Sequence, residues 1–399
     1  VRQKTIVISD AYQNTKLPDG TIFPDRELSQ AESPTAALAP TAALDPTAAL
    51  DPTAALDDVQ VTKTTRHGGL QEGVEVIEVD NGRLQFDVVV TRGMSLYRAR
   101  CQDLELGWRS PISQLVHPQY VDLNDQGGLG WLTGFNEMLV RCGVEFAGHP
   151  GTDNGTPLNL HGRVGNLPAS QVQLVIDQDP PHRICLRGLI EEKRFKFGLF
   201  ELWTEVSTTP QSDRLRINDR LINRSEYDRE YQIIYHSNFG PPLLEAGARF
   251  EAPVATLQPF DEYAARDLGD YATYLPPTRD YGEQVYCFTL HADEEGLTRT
   301  MLHNATGTRG VGLCHRVESL PCFTLWKNTD TETDGYVTGL EPGTGFPYNR
   351  SVEREQGRLP ILAAGGEVEF FLEYQALTDA DSVRTCAAAI AELSASSTR

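Results

Sequence analysis

Twelve short β-rich runs follow one another with almost nothing helical between them, and this most limits what the chain can fold into. They lie at Val74–Asp80, Leu84–Thr91, Ser95–Cys101, Gln171–Asp177, Arg183–Glu191, Leu199–Ser207, Arg214–Asn223, Glu230–His236, Val285–His291, Gly310–Cys314, Cys322–Lys327 and Glu367–Ala376. Alternating or β-branched runs bounded by Gly, Pro, Asn and Asp clusters are strand signals. Only Asp379–Leu393, rich in alanine, and Leu132–Val140 read as helices. Strands without interleaved helices imply an all-β, antiparallel sandwich or barrel, and this many imply a large one. A doubly wound α/β fold is disfavoured.

The N-terminal region is punctuated by repeats. Pro-Thr-Ala-Ala-Leu-Ala at 34–39 is followed by three copies of Pro-Thr-Ala-Ala-Leu-Asp over 40–57. A proline every six residues prevents an uninterrupted α-helix, because each lacks an N–H and clashes with the preceding turn. Alanine offers little surface for a stacked β-solenoid. The repeats read as a surface insertion that divides the chain into an N-terminal segment, 1–57, and a body, 58–399.

Composition excludes several classes of function. With 56 acidic against 35 basic residues the formal charge is −21. A chain of that sign lacks the basic footprint that nucleic-acid phosphates or an anionic membrane surface require. The seven cysteines, scattered and without a CxxC pair, indicate neither a disulfide framework nor a zinc ribbon. Reduced, buried thiols fit a cytoplasmic location. No apolar run approaches the ~18 residues that span a bilayer, and the start of the sequence has no secretory apolar core. Signatures of nucleotide-binding loops, zinc proteases and serine hydrolases are absent.

Three segments carry candidate chemistry. Glu341 sits among glycines and prolines in Leu340-Glu341-Pro342-Gly343, just after an apolar run, and reads as a carboxylate fixed at the mouth of a β-structure. Asn159-Leu160-His161-Gly162 and Tyr235-His236-Ser237-Asn238-Phe239 each bring a histidine to the end of a strand-like run. A carboxylate and imidazoles in such settings suit general acid–base work on a neutral polar substrate, without a metal or a nucleotide cofactor.

These segments, taken in order with Arg141, Glu283-Gln284 and Leu340-Glu341-Pro342, resemble the aldose 1-epimerase, or galactose mutarotase-like, family over roughly residues 70–377. The resemblance implies a large antiparallel β-supersandwich with a shallow sugar site. It implies Glu341 as general base, His236 as the acid that protonates the ring oxygen, His161 as the second histidine on the ring-oxygen side, and Arg141 as a hydroxyl-orienting arginine. Glu283 stands where the family has a substrate-binding aspartate. Asn159, Asn238 and Lys327 are further expected sugar ligands, with Lys327 and Arg141 able to meet a phosphate or carboxylate. The chain departs from the family pattern in its His236-Ser237-Asn238-Phe239 order and in Glu283-Gln284. Trp326 or Phe239 is a candidate stacking platform, and Arg92 a candidate site arginine at a strand end.

Anomer interconversion needs one base at the anomeric hydroxyl and one acid at the ring oxygen, exchanging roles on reclosure. Three other readings remain open at this point. They are a zinc centre at His161, His236 and Glu341, a sugar-binding module without catalysis, and a lyase or glycoside hydrolase, which needs a paired carboxylate or a tyrosine base.

Overall fold

In the computed structural model, which describes residues 1–24 and 56–396, two large antiparallel sheets face one another across a shared apolar core. One has ten strands and the other twelve. The expected all-β supersandwich is the fold. Repeat residues 34–55 lie outside the described residues. Both N-terminal strands are built into the sandwich. Gln3–Asp10 pairs with Ala169–Asp177 in the ten-stranded sheet, and Gly20–Phe23 pairs with Gln60–Thr65 in the other.

Five strands at the centre of the twelve-stranded sheet position the site. In spatial order they are Gln284–Leu290, Cys322–Thr329, Tyr336–Gly343, Gln232–Phe239 and Leu139–Val144. The last three are buried at every residue, so both of their faces are covered. Successive strand residues point to opposite faces. Ile233, Tyr235, Phe239, Leu325 and Leu340 enter the core between the sheets. On the opposite face, Val140, Cys142 and Ile234 pack under Trp131, Phe135 and Leu160, which come from irregular segments outside the sheet.

The C-terminal helix forms where expected, at Ala380–Ser396. Val383, Cys386 and Ile390, at helical spacing, pack on Met301 and Leu377. The expected helix at Leu132–Val140 does not form. Residues Gly130–Gly134 make a 3₁₀ turn, and a strand begins at Leu139. Between them the Asn136 side-chain amide donates to the carbonyls of Ile112 and Gln114, drawing the chain away from a helical path. Among the described residues no helix is long and apolar enough to cross a membrane.

Candidate functional site

Glu341 lies not in a turn at the mouth of the sheet, as its Gly/Pro surroundings led one to expect, but inside the central strand Tyr336–Gly343. Two features fit it there. Pro342 has no N–H, and the ladder to Gln232–Phe239 is interrupted between the pairs Ile234/Gly343 and Ser237/Leu340. By the same register His236 stands opposite Glu341. Thr324 pairs with Glu341 on its other side, Cys287 with Thr324, and Val140 with His236, so one row of side chains crosses the face. Gly339, two residues before Glu341, leaves the carboxylate its room. A Cβ there would meet Glu341 Oε1 at 2.3 Å and the Trp326 ring at 3.3 Å.

His236 Nε2 lies 3.2 Å from Glu341 Oε1. The other ring nitrogen, Nδ1, lies 2.7 Å from Asn238 Oδ1. Because Asn238 Nδ2 donates to the Glu137 and His236 carbonyls, its Oδ1 is an acceptor and Nδ1 carries the hydrogen. Neutral His236 therefore turns a lone pair from Nε2 toward Glu341, whose Oε1 has no hydrogen-bond donor. Burial pushes His236 down to about 4. Burial, and then the charge of Glu283, holds Glu341 well above the usual carboxylate range. Near neutral pH the pair thus keeps one proton besides the Nδ1 hydrogen, resting on Glu341 and facing Nε2.

Aromatic rings enclose this pair. Phe135, Trp326 and Trp131 centre 5.3, 5.5 and 5.8 Å from the His236 ring. The His161 ring stands edge-on to His236 at 5.5 Å and to Trp131 at 4.8 Å. His161 has φ of 59° and is latched to the end of the Leu139–Val144 strand. Its N–H donates to Gly148 and its carbonyl accepts from Gly143. Gly162 permits that latch, since a Cβ would strike the Phe146 carbonyl at 2.3 Å. Burial, then the charges of His236 and His149, drive His161 well below the usual histidine range. Four buried polar atoms here lack hydrogen-bond partners: Glu341 Oε1, His161 Nδ1, Asn159 Oδ1 and Thr324 Oγ1. A buried polar atom without a partner is costly, and a group of them marks where a hydrogen-bonding ligand fits.

Of the residues expected from sequence, Glu341, His236 and His161 come together, and Asn159 stands on the His161 loop. Asn238 orients His236, and both of its polar atoms are committed within the protein. Glu283 is exposed just before the Gln284–Leu290 strand, where its charge reaches Glu341 and His149.

Arg141 and Lys327 must be corrected, because both point into the space between the sheets. Arg141 is wholly buried, bonded to both Asp219 oxygens, to Thr204 Oγ1 and to the Met94 and Gly93 carbonyls. Lys327 Nζ donates to the Tyr271 and Thr273 carbonyls, 4.9 Å from the centre of the Tyr274 ring, and burial lowers it to about 8. Phe239 belongs to the same inner core. Arg92 is buried against Glu137 and the Val116 and Gly134 carbonyls, fastening the segment that carries Trp131 and Phe135.

Sequence reasoning missed Trp131, Phe135 and Thr324. Strand alternation offered a signal for Thr324, two residues from Trp326 and so on its face. No three His, Cys, Asp or Glu side chains among the described residues are grouped to hold a metal ion.

The sequence family described as a domain of unknown function, DUF4432, matches residues 71–376. A solved Klebsiella pneumoniae structure described as a "putative aldose 1-epimerase" is 36% identical with a TM-score of 0.88, over 98% of this chain and 96% of that one. A galactose mutarotase-like protein from Clostridium acetobutylicum (12% identity, TM-score 0.55, 80% of this chain and 98% of that) shares the fold. So does a galactose 1-epimerase from Lactobacillus acidophilus (9% identity, TM-score 0.52, 79% and 98%). No curated protein matches the chain.

Proposed function

The chain belongs to the aldose 1-epimerase, galactose mutarotase-like family, in the group described as DUF4432, and from that premise we propose that it interconverts the α and β anomers of an aldose by acid–base ring opening. The observation that carries this reading is the His236–Glu341 pair, 3.2 Å apart, aligned by Asn238 and holding one shared proton.

Moving that proton from Glu341 to His236 Nε2 gives a carboxylate base and an imidazolium acid without changing the net charge. With a sugar between them, Glu341 takes the proton from the anomeric hydroxyl as Nε2 gives one to the ring oxygen. The bond from C1 to the ring oxygen breaks, the aldehyde turns about C1–C2, and reclosure reverses both transfers. Each group would contribute on the order of 10²–10⁴ in rate. Their opposite pKa displacements, both caused by burial, bring acid and base toward a common working pH. His161 holds the ring-oxygen side, while Asn159 and Thr324 take hydroxyls.

Glu341 and His236 are only 2% and 6% exposed, so a sugar reaches them when part of the aromatic cover gives way. Anomer exchange followed by NMR on free aldoses tests the proposal, with Glu341→Gln as the control. Exchange above the Gln background supports it. Sugar binding without exchange would leave a carbohydrate-binding protein instead.

A further inference from the structure

The row of side chains across the sheet has a polar end and an apolar end. On the far side of Glu341 from His236 stands Thr324, with its unpartnered hydroxyl. Beyond His236, in the other direction, stands Val140, within a cluster of Cys142, Leu160, Trp131 and Phe135.

A sugar worked on by this pair has little freedom in how it lies. His236 Nε2 must come within about 2.6–3.2 Å of the ring oxygen to transfer a proton. That oxygen is bonded to C1 and C5 alone. With C1 on the Glu341 side, C5 falls on the opposite side of His236, over Val140 and beneath the Trp131 and Phe135 rings. Whatever C5 carries is buried there. Of the unpartnered polar atoms on the His161 loop, His161 Nδ1 is assigned to the ring-oxygen side and Asn159 Oδ1 accepts from one ring hydroxyl. A hydroxyl on C6 would find apolar walls. Anionic groups fare worse, since Arg141 and Lys327 face the other side of the sheet and Glu283 adds negative charge near the pair.

We propose that the site selects an aldopyranose with no polar group on C5, a 6-deoxyhexose or a pentose, over hexoses, uronic acids and sugar 6-phosphates. The inference rests on the acid–base reading above. Leaving a buried hydroxyl unpaired lowers selectivity for the parent hexose by about tenfold to a hundredfold, and a charged group lowers it further.

The test uses the full chain and matched sugars differing only at C6: galactose with fucose, glucose with quinovose, and mannose with rhamnose, each pair in one enantiomeric series. Xylose, glucuronate and glucose 6-phosphate complete the set. Exchange rates by NMR give kcat/KM, and tryptophan fluorescence gives Kd, since Trp108, Trp131 and Trp326 cluster around Phe135.

The expected result is a tenfold or greater preference for the deoxy sugar in every pair that exchanges, narrowed by Phe135→Asn, which adds a polar group to the wall. Equal or faster exchange of the parent hexoses, or of the anionic sugars, overturns the inference while leaving the epimerase reading intact. If nothing exchanges but deoxy sugars still bind more tightly, the epimerase reading fails and the preference stands. If binding is also indifferent to C6, the preference fails too.

Discussion

At the scale of single residues, one proton shared by Glu341 and His236 makes two measurable statements. Glu341→Gln keeps the shape of the side chain but cannot take a proton, so anomer exchange should fall by at least about 10²-fold while sugar binding persists. The same substitution should alter stability in a direction fixed by linkage. The folded-state pKa of Glu341 is raised, so as pH climbs past 4.5 the unfolded carboxyl ionises before the folded one and stability is lost. Glu341→Gln removes that loss. Its Tm should exceed the wild-type value at pH 8, by a difference on the order of 1–3 kcal/mol, and the two should converge near pH 4.

The roles of the two histidines separate by kinetics. His236→Asn should cut kcat by orders of magnitude with little change in KM, because His236 is fixed in a strand and oriented by Asn238. His161→Asn should raise KM and lower kcat less. The reverse pattern would exchange their roles, and full activity in both would remove the site. Glu341, His236, His161 and Asn159 were legible as chemistry-bearing types beside strand-like runs. Arg141 and Lys327 were misjudged for one physical reason, the alternation of strand faces. Lys327 directly follows Trp326, so the two cannot share a face. The face of Arg141 depends on its register with Tyr235, which no local pattern encodes.

Among the elements, the strands most easily read were those in which β-branched residues alternate with polar ones. The Tyr336–Gly343 strand escaped because its glycines and proline spell a turn. In the folded sheet those residues serve the carboxylate instead, Pro342 at the break in the ladder and Gly339 under Glu341. Gly339→Ala tests this. The strand itself should tolerate alanine, so Tm should change little. The new methyl would displace the Glu341 carboxylate, and exchange should fall about 10²-fold, mainly through kcat. Unchanged exchange would show that the carboxylate's position is not set by this gap. The Trp131–Phe135 segment was taken for a helix because spacing alone does not reveal that Asn136 and Arg92 tie it down at both ends.

For the whole molecule, the buried Arg141–Asp219 pair joins the two sheets, since Asp219 lies in Arg214–Asn223 of the ten-stranded sheet and also accepts from Tyr235 Oη. Arg141→Ala leaves a carboxylate buried without a countercharge, and unfolding should become easier by about 3–5 kcal/mol, seen in denaturant titration. A sugar-binding arginine would instead raise KM and leave stability alone. Within the N-terminal region, Leu56 packs on the core and Ile8 is buried in it. Deleting residues 34–51 should leave Tm and exchange nearly unchanged, as expected of Pro-punctuated Ala-rich sequence. Deleting residues 1–10, which strips a paired strand from the sheet, should lower Tm markedly.

That first strand has a further consequence while the chain is being made. Ile6 pairs with Leu174, roughly 170 residues further along, so at ribosomal rates of about 5–20 residues per second it waits on the order of ten to thirty seconds for its partner. During that interval Ile6 and Ile8 belong to a nascent chain whose matching edge does not yet exist. The protein's greatest exposure to misassociation therefore comes at its birth, when its earliest strand has been translated and its latest neighbour has not.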